Sequence, residues 1–301
     1  MGALFNKLKY KIRYGSTVEW YSLLYLISKR RQKVIPVVKS IEDTIDAILS
    51  KNASVSRFGD GEMLIVGGKP IRFQQHTKEL EEKLKEVLLS DHEDHLVCLS
   101  DTFENLERYT RSAKRFWRTH FYLYGFLWDK YLRKDKVYYN TFLTRPYMDY
   151  KNKGRCGIWF ESLKKIWDKR DIVLIEGQKS RLGYGNDLFS NAGSIKRILC
   201  PPRDAFDCYG QILDAACRLD KNHLFLVALG PTATALAYDL YKKGYQAIDV
   251  GHVDIEYEWY RMGAKRKVPI PSKYVNESPG GDNAGSDLDE VYKSEIVRII
   301  E

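Results

Sequence analysis

The sequence predicts an α/β domain with a largely parallel sheet flanked by helices. Short apolar runs rich in β-branched residues alternate with longer helical stretches from about residue 50 onward. Hydrophobic residues make up 44 % and charged residues 30 % of the 301 residues, a balance typical of a folded globular chain. Polar and glycine-rich segments follow several of the apolar runs. Because ligands of such sheets bind outside the carboxyl ends of the strands, function is expected in those segments.

The apolar runs and helical stretches define the elements in chain order. The predicted strands are Ala53–Arg57, His95–Ser100, Val137–Phe142, Asp171–Glu176, Ser194–Cys200, His223–Leu229 and Tyr245–Val250. The predicted helices are Thr77–Leu89, Arg111–Leu132, Ile158–Lys169, Asp204–Leu219, Thr232–Lys243 and Asp254–Met262. No Pro/Gly/Ser-rich linker precedes Ser278, so residues 51–277 are expected to form one catalytic domain.

Residues 1–50 form a basic, partly amphipathic N-terminal segment. Up to residue 33 its Lys and Arg side chains are opposed by Glu19 alone and flank the apolar, aromatic stretch Trp20–Ile27; they are Lys7, Lys9, Lys11, Arg13, Lys29, Arg30, Arg31 and Lys33. A segment of this kind can rest on an anionic membrane face. A helix packed on the domain with solvated lysines fits the pattern equally well, and the sequence leaves both interpretations open.

Residues 278–301 are expected to hold a flexible linker and a short terminal helix. Glu277–Asp287 is rich in Gly, Ser, Asp and Asn, and Leu288–Ile300 has the composition of a short helix. The five cysteines show no CxxC pair, which indicates reduced thiols. No signal peptide or membrane-spanning apolar run is visible, so a cytoplasmic protein is expected, with the inner membrane face as a further point of contact.

The stretch Ser54–Glu62 places charged residues and glycines at the exit of the first predicted strand. Asp60 and Glu62 are hard oxygen ligands separated by one glycine, which suits Mg2+ or Mn2+ better than zinc. Arg57 offers a planar cationic fork for phosphate. Gly59 lets a phosphate-bearing ligand approach the backbone. The stretch predicts a metal–diphosphate site, although Asp-x-Glu alone is a common surface turn.

Two later strand exits are further candidates for binding an anion. Lys179 and Arg181 lie on a glycine-rich loop that could close over phosphates, and the loop lacks the Walker A spacing. A plain surface loop is the alternative interpretation. At the turn from Gly230 to Thr232 a helix begins, and its free amides and positive end could meet a phosphate or a sugar hydroxyl. Many such turns only start a helix.

The last strand exit concentrates His252, Asp254 and Glu256. His252 beside acidic groups has the makings of a metal ligand or a proton acceptor. If a helix begins at Asp254, some of these carboxylates instead serve to interact with the positive N-terminal end of the helix dipole. Asp254 and Glu256 form a second Asp-x-Glu that competes with the first for the metal. The pair at Asp60 and Glu62 ranks higher because of its glycines and Arg57.

Three separated motifs together resemble the bacterial glycosyltransferases of the GT-D fold, formerly the domain of unknown function 1792. They are Ser56–Glu62, Gly230–Thr234 and Asp249–Glu258, and the resemblance covers roughly residues 50–277. It implies a Rossmann-like domain that holds a UDP-sugar, commonly UDP-glucose, through Mn2+ or Mg2+. It also implies that Asp60 and Glu62 bind the metal and that a glycan on a protein or lipid carrier is extended.

The resemblance implies a hexosyltransferase, and no nucleic-acid partner is expected. A divalent cation and an arginine would stabilise the leaving diphosphate, and His252, Asp254 or Glu256 would act as the base on the acceptor hydroxyl. The sequence cannot separate these three residues. Two other classes stay open. The net charge of +9 with a metal–carboxylate site is compatible with a metal-dependent phosphodiesterase or nuclease, and the basic N-terminal segment is compatible with a non-catalytic anion- or membrane-binding assembly protein.

Overall fold

In the computed structural model, which describes residues 17–28, 33–275, 277–281, 285 and 288–301, the strands form one parallel sheet. The nine strands of this described part are ordered β1-β4-β3-β2-β8-β7-β5-β6-β9. Their bounds are β1 Val37–Val38, β2 Ser54–Phe58, β3 His95–Leu99, β4 Val137–Asn140, β5 Asp171–Gly177, β6 Ser194–Cys200, β7 Leu224–Ala228, β8 Gln246–Asp249 and β9 Ile296–Ile299. The predicted fold class is confirmed.

The seven predicted strands are all present, and two strands were missed. Strand β1 has two residues and pairs with β4, so it is too short to give a periodic signal. Strand β9 pairs with β6 and occupies the end of the segment Leu288–Ile300 that the sequence assigned to a helix. That assignment is wrong for Ile296–Ile299, because a β-branched run gains more from pairing with a sheet edge than from extending a short helix.

The helices cover the sheet and include two that the sequence did not predict. Their bounds are α1 17–27, α2 Ile41–Lys51, α3 Asp60–Val66, α4 Lys78–Leu89, α5 Arg111–Tyr131, α6 Cys156–Lys164, α7 Tyr209–Cys217, α8 Pro231–Lys242, α9 Val253–Arg261 and α10 Glu290–Glu295. The missed helices are α2 and α3. Helix α2 begins with a capping box in which Ser40 accepts from the Asp43 amide.

The core lies on both faces of the sheet. In β5, Ile172 and Leu174 belong to one apolar cluster, whereas Val173 and Ile175 belong to a second one. This alternation follows from the two-residue period of a strand buried on both faces. All five cysteines are free thiols. No described helix is long and apolar enough to cross a membrane.

The sheet brings β2 and β8 side by side at its centre, although they are far apart in sequence. From β2 the chain proceeds to β3 and β4 on one side, whereas β7 and β5 lie on the other side of β8. This arrangement is a topological switch point, where a crevice opens beyond the carboxyl ends of the strands. The predicted site residues after β2 and β8 therefore meet at the position where this fold class binds ligands.

Helix α1 packs on α5 and keeps an apolar face outside. The Tyr21 ring stacks on Tyr122 at 5.6 Å, and Thr119 donates to the Val18 carbonyl at 2.9 Å. On the opposite side Trp20, Leu23 and Ile27 are 59 %, 47 % and 69 % exposed. The helix thus packs on the domain and still presents an apolar surface. Lys7, Lys9, Lys11, Arg13 and Lys29–Arg31 lie outside the described residues.

The C-terminal segment is anchored by a buried ion pair. The Arg197 Nη1 atom in β6 donates to Glu176 Oε1 in β5 at 2.6 Å, and the Tyr292 ring from α10 covers the guanidinium at 4.1 Å. Arg197 Nε also donates to Glu295 Oε2 at 2.6 Å. These contacts hold α10 and β9 against the sheet.

Replacing Arg197 by Met is expected to lower the free energy of unfolding by about 3 kcal/mol, because it leaves the buried Glu176 carboxylate without its cation. Urea unfolding measures the change, with Arg298→Met as control, since Arg298 on β9 is exposed. Equal stability of the two variants would show that the pair does not anchor this segment.

Candidate active site at the carboxyl edge of the sheet

An ion pair between Arg57 and Asp249 lies at the centre of the site. Arg57 Nη2 donates to Asp249 Oδ1 at 2.8 Å, and Nε donates to the Asp249 carbonyl at 2.8 Å. Arg57 Nη1 donates to Thr144 Oγ1 at 2.7 Å, and Thr234 Oγ1 donates to Asp249 Oδ2 at 3.2 Å. Burial raises the pKa of Asp249, and Arg57 and Thr234 oppose that shift. The pair links the ends of β2, β8, β4 and the start of α8.

Asp60 and Glu62 lie in the first turn of α3, directly beyond β2. Glu62 Oε2 accepts from the Gly59 amide at 2.8 Å, so this carboxylate caps the helix. Burial and the charge of Asp249 raise the pKa of Glu62 to about 7. The sequence placed Asp60 and Glu62 at the exit of a strand. In the structure this exit is the start of helix α3, beside the central ion pair.

Asp60 and Glu62 offer the hard carboxylate oxygens that a divalent cation such as Mg2+ prefers. Burial and then the charge of Asp249 raise the pKa of Glu62, and Arg57 opposes the shift, so a further cation beside Glu62 would be favourable. A Cβ at Gly59 would lie 3.3 Å from Glu62 Oε2, so glycine leaves room for this carboxylate. No group of three or more His, Cys, Asp or Glu in the described ranges is arranged to hold a metal alone. Mg2+ commonly completes two protein carboxylates with substrate phosphates and water.

The start of α8 is covered by the loop that follows α3. Thr232 is buried, and its hydroxyl donates to Gln74 Oε1 at 3.1 Å. Gly230 has φ +56, and a Cβ there would lie 2.5 Å from the Phe73 ring. Gly230 is therefore needed for both its positive φ and the close approach of Phe73. Gly230 and Thr232 thus lie at the start of the helix whose Thr234 contacts Asp249, and their own contacts are with Phe73 and Gln74.

Lys179 and Arg181 do not share one environment. Lys179 is exposed, whereas Arg181 is buried at φ +52 and donates to the carbonyls of Ser272 and Gly285 at 2.9 and 2.8 Å. Arg181 therefore ties its own loop to the segment that follows α9. Arg181 therefore fits a structural role, in which it holds that segment in place, better than it fits a phosphate contact.

Asp254 is locked in a buried network. Its Oδ2 accepts from Lys273 Nζ at 2.7 Å, and both side chains are 0 % exposed. Its Oδ1 accepts from the Gly183 amide at 2.9 Å and from Asn186 Nδ2 at 2.7 Å. Since both oxygens are occupied and hidden from solvent, this carboxylate holds the 177–187 loop to α9.

Glu256 is equally buried, with one oxygen engaged. Its Oε2 accepts from the amides of Tyr147 and Met148 at 3.0 and 2.7 Å, whereas Oε1 has no hydrogen-bond partner within the described chain. Burial raises the pKa of Glu256 to about 7, and Arg145 opposes the shift from 4.0 Å. The carboxylate positions the segment after β4.

His252 reaches the surface of the crevice at the start of α9. Its side chain is 27 % exposed, and Nε2 lies 3.4 Å from Glu277 Oε1. Glu277 is also paired with Arg145 and Lys267. Burial alone would raise the pKa of Glu277, but Arg145, His252 and Lys267 hold it well below its usual range. Glu277, which the sequence assigned to the start of a flexible linker, is instead the centre of an ion-pair cluster.

Several residues of the site were not nominated from sequence. Asp249 and Thr234 lie inside the quoted motifs, and a charged residue ending a buried strand is a signal that could have identified Asp249. Arg145 follows β4, at a further strand exit. Glu277 gives no local signal, since its partners Arg145 and His252 are distant in sequence.

Replacing Gly251 by Ala is expected to lower the free energy of unfolding by roughly 3 kcal/mol or more. A Cβ there would lie 1.8 Å from Arg57 Nη2, so the guanidinium must move away from Asp249. The buried Asp249 carboxylate would then have no cationic partner. Gly68→Ala is the matched control, since Gly68 also has positive φ but open space around it. That variant should lose only about 1 kcal/mol from backbone strain. Equal losses in urea unfolding would contradict the role given to the Arg57–Asp249 pair.

Comparison with known proteins identifies the family of this chain. The family model for the glycosyltransferase GT-D fold matches residues 55–278. The chain is 42 % identical over 263 residues to the probable glycosyl transferase Gly of Streptococcus gordonii, covering 86 % of this chain and 38 % of that protein. It is 41 % identical over 261 residues to the glycosyltransferase GlyD of Streptococcus pneumoniae serotype 4, covering 86 % and 32 %. The chain thus spans about a third of the length of these relatives.

Solved structures give the same result. A glycosyltransferase (DUF1792) from Streptococcus sanguinis is 40 % identical with a TM-score of 0.85, covering 89 % of this chain and 100 % of that one. A second structure, described as a domain of unknown function 1792 with a distinct glycosyltransferase fold, is 39 % identical with a TM-score of 0.85. It covers 95 % of this chain and 99 % of that one. The chain belongs to the family of glycosyltransferases with the GT-D fold.

Proposed function

We propose that the chain transfers a hexose, with glucose as the first candidate, from a UDP-sugar to a glycan acceptor on a protein or lipid carrier, in the cytoplasm and with Mn2+ or Mg2+. The observation that supports this proposal is the grouping of Arg57, Asp249 and the Asp60–Glu62 turn at the switch point between β2 and β8. A nucleotide-sugar donor is what glycosyltransferase family membership suggests. Its diphosphate is the anion that such a site would hold.

Asp60 and Glu62 would hold the metal, and the diphosphate and water would complete its ligands. When bound, the metal neutralises negative charge that grows on the leaving diphosphate. Asp249 keeps Arg57 in place beside these carboxylates through two contacts, one from its side chain and one from its backbone.

Arg57 retains donors for the diphosphate. A guanidinium has five N–H groups, and three of them are used by Asp249 and Thr144. The side chain is 13 % exposed, so the remaining two can meet a ligand in the crevice. A fixed guanidinium stabilises developing charge without reorganising at the moment of reaction.

Among the three candidate bases, the geometry favours His252. A base must come within hydrogen-bond reach of the acceptor hydroxyl, and the side chains of Asp254 and Glu256 are 0 % exposed. His252 reaches solvent, and Glu277 lies 3.4 Å from its Nε2. We infer that His252 accepts the proton from the acceptor and that Glu277 orients the imidazole.

The nuclease alternative rested on net positive charge and on a carboxylate pair, and the non-catalytic alternative rested on the positive charge of the N-terminal segment. Both features also suit a transferase with an anionic donor, and the relatives are named glycosyltransferases. We therefore propose that the metal–carboxylate site and the basic charge both contribute to sugar transfer.

Asp60→Asn and Glu62→Gln are each expected to abolish the rise in melting temperature that UDP causes together with Mn2+, because a ligand stabilises only the state that binds it. Gln at position 62 keeps the oxygen that accepts from the Gly59 amide, so the ligand-free melting temperature should change little. Exposed Glu79 in the first turn of α4 provides the control variant Glu79→Gln.

A panel of nucleoside diphosphates with and without Mn2+ should be scanned for all variants. If UDP with Mn2+ stabilises both site variants as much as it stabilises the wild type, the metal does not bind at Asp60 and Glu62. If no diphosphate stabilises the wild type, the proposed donor class is wrong.

His252→Gln is expected to slow UDP release from the UDP-sugar by roughly 10²- to 10⁴-fold, because proton transfer by a positioned base contributes a factor of this size. UDP binding with Mn2+ should be unchanged. UDP release with water as acceptor can be followed when the natural acceptor is unidentified.

Asp254→Asn is the comparison variant, and it should lower stability through loss of the Lys273 pair more than it lowers turnover per folded molecule. A variant at His252 with full turnover, or a larger loss of turnover at Asp254, would reject His252 as the base.

A further inference from the structure

A basic cleft opens between α1, the start of α5 and the segment after β4. It has a volume of about 870 Å³ and is lined by seven Lys or Arg side chains and one carboxylate, Glu19. Its apolar lining includes Leu23 and Leu26 of α1 and the ring of Tyr150. The sequence drew attention to the basic charge of residues 1–33, whereas all seven of these cations come from other parts of the chain.

Part of this charge is neutralised within the protein. Lys114 pairs with Glu107 at 2.5 Å, and Arg115 pairs with Glu19 at 3.0 Å. Lys153 donates to the Met148 carbonyl at 3.1 Å. The remaining cations form no salt bridge with a carboxylate in the described ranges; they are Arg111, Arg118, Lys151 and Lys265. Glu107 also attracts Arg118 and Lys151 at longer range, but its single carboxylate is shared with Lys114. The cleft therefore keeps an excess of positive charge that attracts an anion.

The position of these cations on α5 works against helix stability. Arg111 is the first residue of α5, Lys114 and Arg115 follow one turn later, and the first turn has no acidic residue. Cations at a helix N-terminus are unfavourable because the helix dipole is positive there. The arrangement therefore fits binding of an anion better than stabilisation of the fold.

The cleft adjoins the proposed transfer site. Met148 lines the cleft, and its amide donates to Glu256 in the cluster of Arg145, Glu277 and His252. Thr144, which contacts Arg57, precedes Met148 by four residues, which span at most about 14 Å of extended chain. An acceptor whose anionic group lies in the cleft could therefore extend its sugar toward His252.

The apolar rim indicates what kind of anion binds. Trp20, Leu23 and Ile27 are exposed on one face of α1, and Leu23 also lines the cleft. An apolar helix face beside a cationic cleft complements an amphiphile, with its chain at the membrane interface and its phosphate among the cations.

We propose that this cleft binds the phosphate groups of a lipid-linked acceptor, so that the enzyme extends a sugar carried on a lipid diphosphate at the membrane surface. This inference rests on the proposed function and names its acceptor class.

Co-sedimentation of the full chain with vesicles tests the proposal. The vesicles are phosphatidylcholine alone, phosphatidylcholine with a long-chain polyisoprenyl diphosphate, and phosphatidylcholine with phosphatidylglycerol matched in total charge. The test variant is Arg111→Gln/Lys151→Gln/Lys265→Gln, which changes exposed cations of the cleft. The control is Lys165→Gln/Arg218→Gln/Arg298→Gln, which removes the same charge from exposed positions elsewhere.

The wild type and the control are expected to bind the polyisoprenyl diphosphate vesicles, and the cleft variant should bind them roughly a hundredfold more weakly. Free inorganic diphosphate should compete. Binding of the cleft variant equal to that of the wild type would overturn the proposal. Equal capture by phosphatidylglycerol vesicles would also overturn it, because bulk surface charge would then suffice, and no capture by the wild type would favour a soluble carrier.

Stabilisation by UDP with Mn2+ is measured on the same samples. It should be retained in the cleft variant, which shows that the variant is folded and that the donor site is intact. Loss of donor binding in the wild type would reject the proposed function, whereas unchanged vesicle binding in the cleft variant rejects the acceptor site alone.

Discussion

The ion pair between Arg57 and Asp249 is the contact on which the geometry of the crevice depends. It joins the carboxyl ends of β2 and β8, the two strands at the switch point, and through Thr144 and Thr234 it also fixes the exit of β4 and the start of α8. Removing one partner would leave a buried charge unpaired, which is far more costly than loss of a surface pair. Gly251 leaves space for the guanidinium beside the turn.

A second cluster of charges includes Arg145, which follows Thr144, a contact of Arg57. Glu277 gathers Arg145, Lys267 and His252, whereas Asp254 and Lys273 form a fully buried pair beneath α9. These contacts bring segments before and after α9 back to the sheet edge. Titratable groups close together in sequence thus have different tasks because their burial and partners differ, with Asp254 and Glu256 buried and His252 at the surface.

The sequence predicted the sheet, and it indicated the edge where the candidate site lies, because both depend on local patterns. Buried parallel strands give continuous apolar runs, and the polar residues after β2 and β8 indicated where to look. It did not predict β9, whose pairing with β6 is a tertiary effect. It also could not show that Arg181 is buried against backbone carbonyls or that Glu277 faces Arg145, because those partners are 91 to 132 residues away. The basic cleft was equally hidden, since its cations come from separate segments.

A crystal structure of the protein with Mn2+ and UDP tests the proposed donor site most directly, with anomalous scattering used to locate the manganese. We expect the ion between the carboxylates of Asp60 and Glu62, with the diphosphate in contact with Arg57 while Arg57 remains paired with Asp249. Manganese bound at Asp254 and Glu256, or UDP bound in the basic cleft away from β2 and β8, would contradict this assignment.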